Sequence, residues 1–284
     1  MITASAAADR SVYAECGILV ENIESTLFGA LQDEEGNPTF YEWNVETDDT
    51  WKGTTAINRL GGEIVSAAAD ESGNVYICDS ESTMHKIDPS TGTDIASSGI
   101  LLPLTDMAYS YVESTPDMPL FASIYEGWLL APDDPMNISG SGFNLTSYVA
   151  NYGGSKFIAL TSGGASQVET EDGLVSGEQL VAIDNAGNLW DFLLTDTTIY
   201  WNTYRSVLPV GFLGGNTKGE YCSLAYGADG YLYLSVFDGN TANYYRIALN
   251  DESAMASYFG NVGDGVWPST IISAASNAPA AAAY

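Results

Sequence analysis

Short apolar or alternating runs, closed off by Gly, Asp, Asn and Pro, recur along the chain, and helical spacing of apolar positions is almost absent. Runs of this kind predict strands joined by tight turns. The clearest unit covers residues 64–92, IVSAAADESGNVYICDSESTMHKIDPSTG. It reads as a strand over 64–69, a turn over 70–74, a strand over 75–78, a second turn, and a strand over 84–88. Gly73 supplies the positive φ a tight hairpin needs, and Pro89 cannot donate to a ladder, so the third strand stops there. A fourth, outer strand is predicted near Ile100 to Leu102.

A second copy runs over 222–251, CSLAYGADGYLYLSVFDGNTANYYRIALND, with strand, turn and strand lengths in the same order. Its outer strand is placed near Ser257. Fainter copies occupy 106–133, with turns at 114–117 and 125–127, and 157–213, with a turn at 185–188. The segment 157–160 also reads as the outer strand of the unit before it. The N-terminal stretches VYAECGILV, TLFGALQDEEGNPTFYEWNV and TTAINRL supply the remaining strands. Five units result, with innermost strands near Tyr13, Ile64, Asp106, Phe157 and Cys222, spaced as blades with loop insertions would be.

Sheets that bury both faces against neighbours around an axis make a propeller, and closing the ring protects their edges. The predicted fold is therefore all-β, a β-propeller of five four-stranded antiparallel blades, with a pair of β-sandwiches as the alternative. Residues 1–10 read as a leading linker or the start of an excised piece, 11–275 as a single propeller domain and 276–284 (SNAPAAAAY) as a linker-like tail.

Charge narrows the partners. The chain carries 37 Asp and Glu against 8 Lys and Arg, a net charge of −29. Such a surface repels phosphate backbones and anionic lipid, so nucleic-acid and membrane-surface partners are not expected. No run reaches the length of a membrane span, and the N-terminus lacks the basic and apolar regions of a signal peptide. Scarce Lys with abundant Gly, Ser, Thr, Asn and Tyr matches exported bacterial domains, which points to an extracellular or cell-surface location and a monomeric unit within a larger chain. Cys16, Cys78 and Cys222 form no metal-type pair; the expectation is buried free thiols, with one disulfide as the alternative.

The strings MAYSYVES, NVYICDSESTMHKIDPSTG and YYRIALND resemble propeller repeats in large cell-surface proteins of anaerobic Gram-positive bacteria, of the YncE-like and PQQ-like group. That resemblance implies a propeller fold and no particular ligand residue. The full Asp-Pro-x-Thr-Gly ending occurs only at 88–92.

Candidate chemistry is sparse. His85 is the single His, so any Ser-His-Asp or Cys-His scheme must use it, and its mid-strand place predicts a structural or surface role. Zinc fails for want of ligands. No cofactor is expected, although the oxygen-rich turns at Asp229, Asp238 and Asp264 leave structural calcium open. Trp43, Trp51, Trp128, Trp190, Trp201 and Trp267, with Tyr200, Tyr204, Tyr244 and Tyr245, serve either as inter-blade packing or as a platform for sugar rings. The glycine pairs at 153–154 and 211–215 lack a phosphate-loop context.

These features predict a non-catalytic recognition, adhesion or scaffolding domain that binds glycan or protein through one propeller face. The alternatives are a carbohydrate-active enzyme with a carboxylate pair in the central depression, and a purely structural spacer.

Overall fold

The structure, a computed structural model, describes residues 2–5, 13–16, 26–32, 37–45, 48, 50–58, 60–70, 72–102, 104–109, 121–132, 134–138, 142–170, 173–195, 198–208, 221–227, 230–237, 242–248, 255–261, 268 and 270–272. Two short strands, β1 (Ile2–Ser5) and β2 (Tyr13–Cys16), pair with each other. Next come β3 (Thr26–Gln32), β4 (Pro38–Asn44) and β5 (Lys52–Ala56), then β6 (Ile64–Ala69), β7 (Val75–Asp79), β8 (Thr83–Asp88) and β9 (Thr93–Gly99). β10 (Asp106–Tyr109), β11 (Phe121–Tyr125), β12 (Trp128–Leu130) and β13 (Gly142–Asn144) precede the short helix α1 (Thr146–Asn151). β14 (Phe157–Thr170), β15 (Gly173–Asp184), β16 (Asn188–Leu194) and β17 (Ile199–Ser206) follow. The last strands are β18 (Tyr221–Tyr226), β19 (Tyr231–Phe237), β20 (Ala242–Ala248), β21 (Ser257–Asn261) and β22 (Thr270–Ile272).

These strands form five four-stranded antiparallel sheets in the orders β22-β3-β4-β5, β6-β7-β8-β9, β10-β11-β12-β13, β14-β15-β16-β17 and β18-β19-β20-β21, here blades 1 to 5. The first strand of each sheet touches the first strand of the next, and β18 meets β22, so the innermost strands close a ring. The protein is a five-bladed β-propeller.

Two-sided burial follows from the period-2 alternation of side chains along a strand. In blade 2, Val75 and Ile77 point toward blade 1, while Tyr76 and Cys78 point toward blade 3. Across the molecule the buried apolar residues fall into five clusters, one at each blade-to-blade interface. No pair of sandwiches would divide the core in this way.

Three expectations change. Tyr13 does not start an innermost strand, because β2 pairs only with β1. Blade 1 instead takes its innermost strand from the far end of the chain, with Thr270, Ile271 and Ile272 opposite Ala30, Gly29 and Phe28. Ring closure explains the change, since a free edge on β3 would leave a ladder of unpaired backbone groups. The outer strand of blade 2 is β9, not the segment near Ile100, which instead connects blades 2 and 3. Phe157 begins the innermost strand of blade 4, and its reading as an outer strand of the preceding unit is set aside.

One local device occurs twice, at non-equivalent places. Between β6 and β7, Asn74 donates its backbone N–H to Asp70 Oδ1 (2.8 Å) and its amide to Asp70 Oδ2 (2.9 Å), while the Tyr76 hydroxyl reaches the same oxygen (3.3 Å). Between β15 and β16, Asn188 donates N–H to Asp184 Oδ1 (3.0 Å) and its amide to Asp184 Oδ2 (2.7 Å), with the Trp190 indole N–H also on Oδ2 (2.9 Å). Both turns read Asp-x-x-Gly-Asn-x-aromatic. The first joins strands one and two of its blade, and the second joins strands two and three.

Strand polarity assigns the connections to two faces. Second-to-third turns and blade-to-blade links lie at one end of the strands, and first-to-second and third-to-fourth turns at the other. The helix α1, linking blades 3 and 4, lies on the former face.

Candidate functional site

Asp106 opens β10 and is only 1% exposed. Ser66 Oγ donates to Asp106 Oδ1 (2.7 Å), and the Leu160 backbone N–H donates to Asp106 Oδ2 (2.8 Å). The Leu224 and Met107 N–H groups donate as well. One carboxyl thereby ties the innermost strands of blades 2, 3, 4 and 5 together across the axis. Burial raises its pKa to about 8 against the opposing pull of these donors. Close by in the ring, Ser223 Oγ donates to the Ile271 carbonyl (2.7 Å), linking blades 5 and 1. The acid on these innermost strands is committed to holding blades.

His85 lies mid-strand in β8, as expected, and its burial leaves the structural one of the two expected roles, structural or surface. Its Nδ1 lies 2.8 Å from Asp94 Oδ2 on β9, and its Nε2 lies 3.2 Å from Asp79 Oδ2 on β7. Asp79 also accepts the N–H groups of Gly62 (3.1 Å), Glu81 (3.0 Å) and Thr83 (2.8 Å). The imidazole therefore staples three strands of one blade. Both ring nitrogens face carboxylates, so among the described residues His85 has no Ser or Cys partner of the kind a nucleophilic scheme needs.

The aromatic residues divide. Trp43, Trp51, Tyr233 and Tyr244 pack together at the interface of blades 5 and 1, with Trp43 and Trp51 centroids 5.6 Å apart and Trp51 and Tyr244 5.8 Å apart. Trp190 stacks on Phe192 (5.8 Å) between blades 3 and 4. As ligand platforms these buried rings are excluded. Tyr200 and Tyr245 are half-buried. The side chains of Trp201 and Tyr204, and Trp267 altogether, lie outside the described residues.

Trp128 differs: it is 38% exposed at the start of β12. It sits opposite Asn144, and the neighbouring Leu145 N–H donates to the Gly127 carbonyl (2.8 Å). That bond brings the β11–β12 turn against the start of α1; Tyr148 within the helix and Tyr152 just past its C-terminus are exposed, Tyr152 lying edge-on to Trp190 (5.2 Å). Glu126 at the turn is exposed and holds a left-handed φ of 48°, a conformation a non-glycine residue adopts only when its surroundings enforce it. The exposed aromatics of this face, Trp128, Tyr148 and Tyr152, with Glu126 and Asn144 as hydrogen-bonding groups, make up the candidate site. Sequence reasoning named Trp128 among ten aromatics; exposure singled it out. It did not find Asp106 or Tyr148.

Cys78 and Cys222 are buried free thiols, and the Cys16 side chain lies outside the described residues. Among the described residues no group of three or more His, Cys, Asp or Glu could hold a metal ion. The turns at Asp229, Asp238 and Asp264 lie outside the described residues, as do glycines 211–215. Gly153 and Gly154 follow the C-terminus of α1, the wrong end for an anion site. Among the described residues no helix is long and apolar enough to cross a membrane.

No family model matches the chain, and no curated protein matches it. Among solved structures it is similar to the β-propeller domain of Cps50 (Swd1) from Myceliophteria thermophila, at 12% identity over 82% of each chain and a TM-score of 0.39. It is also similar to a protein from Lactobacillus plantarum, at 14% identity over 84% of this chain and 67% of that one, with a TM-score of 0.38.

Proposed function

We propose that this propeller is a non-catalytic recognition domain of an exported bacterial surface protein, holding a glycan on the face that carries α1. The observation that supports this reading is the exposure of Trp128, Tyr148 and Tyr152 on that face. Aromatic rings offer flat apolar faces to the C–H side of a sugar ring, while Glu126 and Asn144 suit its hydroxyls. Trp128 opens β12 and Tyr148 lies within α1, and binding residues presented by regular elements of a scaffold cost little ordering entropy. The reading as a carbohydrate-active enzyme asks for a carboxylate pair in an open depression; Asp106, the acid at the axis, already accepts from four donors of its own fold.

A glycan array probed with the domain, followed by titration calorimetry of each hit, tests this reading. Binding is expected, and Trp128→Ala should weaken it by about tenfold or more with an unchanged urea-denaturation midpoint. Absence of binding across broad glycan panels, or full affinity in W128A and Y148A, overturns it.

A further inference from the structure

The hairpin of β14 and β15 is far longer than its blade requires. β15 pairs with β16 only as far as Glu178, yet β14 and β15 continue pairing from Ser166 and Gly177 out to Thr170 and Gly173. Five residue pairs therefore extend past the blade, roughly 16 Å of two-stranded ribbon at about 3.3 Å per residue. A register shift between Ser162 and Gly164 falls just inside the blade, two pairs before the ribbon leaves the sheet, and bulges of this kind redirect a strand. Being a first-to-second connection, the ribbon projects from the face opposite α1.

The ribbon has open edges. Among the described residues no third strand pairs with β15 beyond Glu178, and β14 pairs with β15 alone. Natural edges of this kind are protected by Lys, Pro or very short length. Here residues 163–177 contain neither Lys nor Pro. Leu174 is 65% exposed on the ribbon, an apolar contact with nothing to cover it in the fold.

Charge decides what could add to this edge. From Phe157 to Tyr204 the chain has no Lys or Arg, while Glu169 lies near the end of β14 and the sequence joining β14 to β15 is Glu171-Asp172. Two such arms repel each other, which disfavours a second copy as the occupant. A basic strand is attracted instead.

We infer that the β14–β15 arm is a docking strand for an extended, basic segment of a partner protein, which adds a third strand to the ribbon. Backbone N–H and C=O groups supply the pairing, alternate Lys or Arg meet the acidic tip, and alternate apolar side chains cover Leu174. The inference stands on a separate face and separate residues from the proposed glycan site.

The probe is a fluorescein-labelled peptide of alternating Lys and Val, read by anisotropy at low and moderate salt. The intact domain is expected to bind it at least about tenfold more tightly than a variant in which residues 167–176 are replaced by an Asn-Gly turn. The same margin should separate it from a peptide with a central Pro. A second variant, E169K/L174K, changes only exposed positions and should lose the same affinity with its near-UV spectrum intact. Equal binding by the shortened variant assigns the affinity to the general acidic surface and overturns the inference. Equal binding of the Pro-containing peptide overturns the strand pairing. Arm-dependent dimers in sedimentation without peptide overturn the choice of occupant in favour of a second copy.

Discussion

Cys78 shows how much a single side chain inherits from the strand around it. The run VYICD alternates between two interfaces, and the thiol faces the cluster between blades 2 and 3. Burial, with the neighbouring Asp79 charge, pushes its pKa up to about 12. Thiolate is then scarce at pH 8, and the sulfur is inert as well as enclosed. In a Cys16→Ser, Cys222→Ser background, iodoacetamide at pH 8 should label Cys78 only as fast as the protein unfolds; rapid labelling in native buffer contradicts this. His85 is the opposite case. Its place in β8 was legible, but its two carboxylate partners come from the adjacent strands, and only the register of β7, β8 and β9 brings them to opposite ring nitrogens.

At the scale of the element, two glycines in the same blade separate turn chemistry from packing. Gly73 has φ 83° and open space where a Cβ would go, whereas Gly92 has φ 67° and a Cβ there would collide with the Ala56 carbonyl oxygen of blade 1. The Gly73→Ala variant is expected to lose about 1 kcal/mol, the cost of a left-handed residue alone. Gly92→Ala should lose more than about 3 kcal/mol, since the β8–β9 turn must also move off its neighbour. Urea denaturation of both variants measures the difference, and equal losses would refute the packing argument. The terminal glycine of the Asp-Pro-x-Thr-Gly string is thereby a blade-to-blade contact as well as a turn residue. The units at 64–92 and 222–251 were legible because their turns fall at matching connections. Blade 4 was harder to register because its Asp184 turn uses the residues of the Asp70 turn at a different connection, so local chemistry alone could not say which strand came first.

For the whole molecule, Asp106 links stability to pH. Its folded pKa of about 8 stands above the ordinary 3.8, so between these values the folded state holds a proton that the unfolded state has released. Its contribution to stability is therefore greatest below pH 4 and falls as pH rises toward 8, by up to about 1.4 kcal/mol per pH unit. The Asp106→Asn variant should lose this slope. The slope is the readout, because an Asn amide facing backbone donors lowers stability at every pH. Parallel stability–pH curves for the two proteins between pH 5 and 8, measured by urea melts, would rule the linkage out. By itself the sequence determined what depends on near neighbours: the all-β class, the turns, the two-sided burial of strands and the four-stranded units, since side-chain period and turn conformation are set within a few residues. Tertiary structure alone decided the rest. Thr270–Ile272 closes blade 1 against strands from the other end of the chain. Ser66 and Leu160 reach Asp106 from 40 and 54 residues away. Trp128 is exposed while Trp190 is enclosed because the ring closed around one and not the other. Such contacts are fixed by the closure of the blades in space, and no local pattern along the chain encodes them.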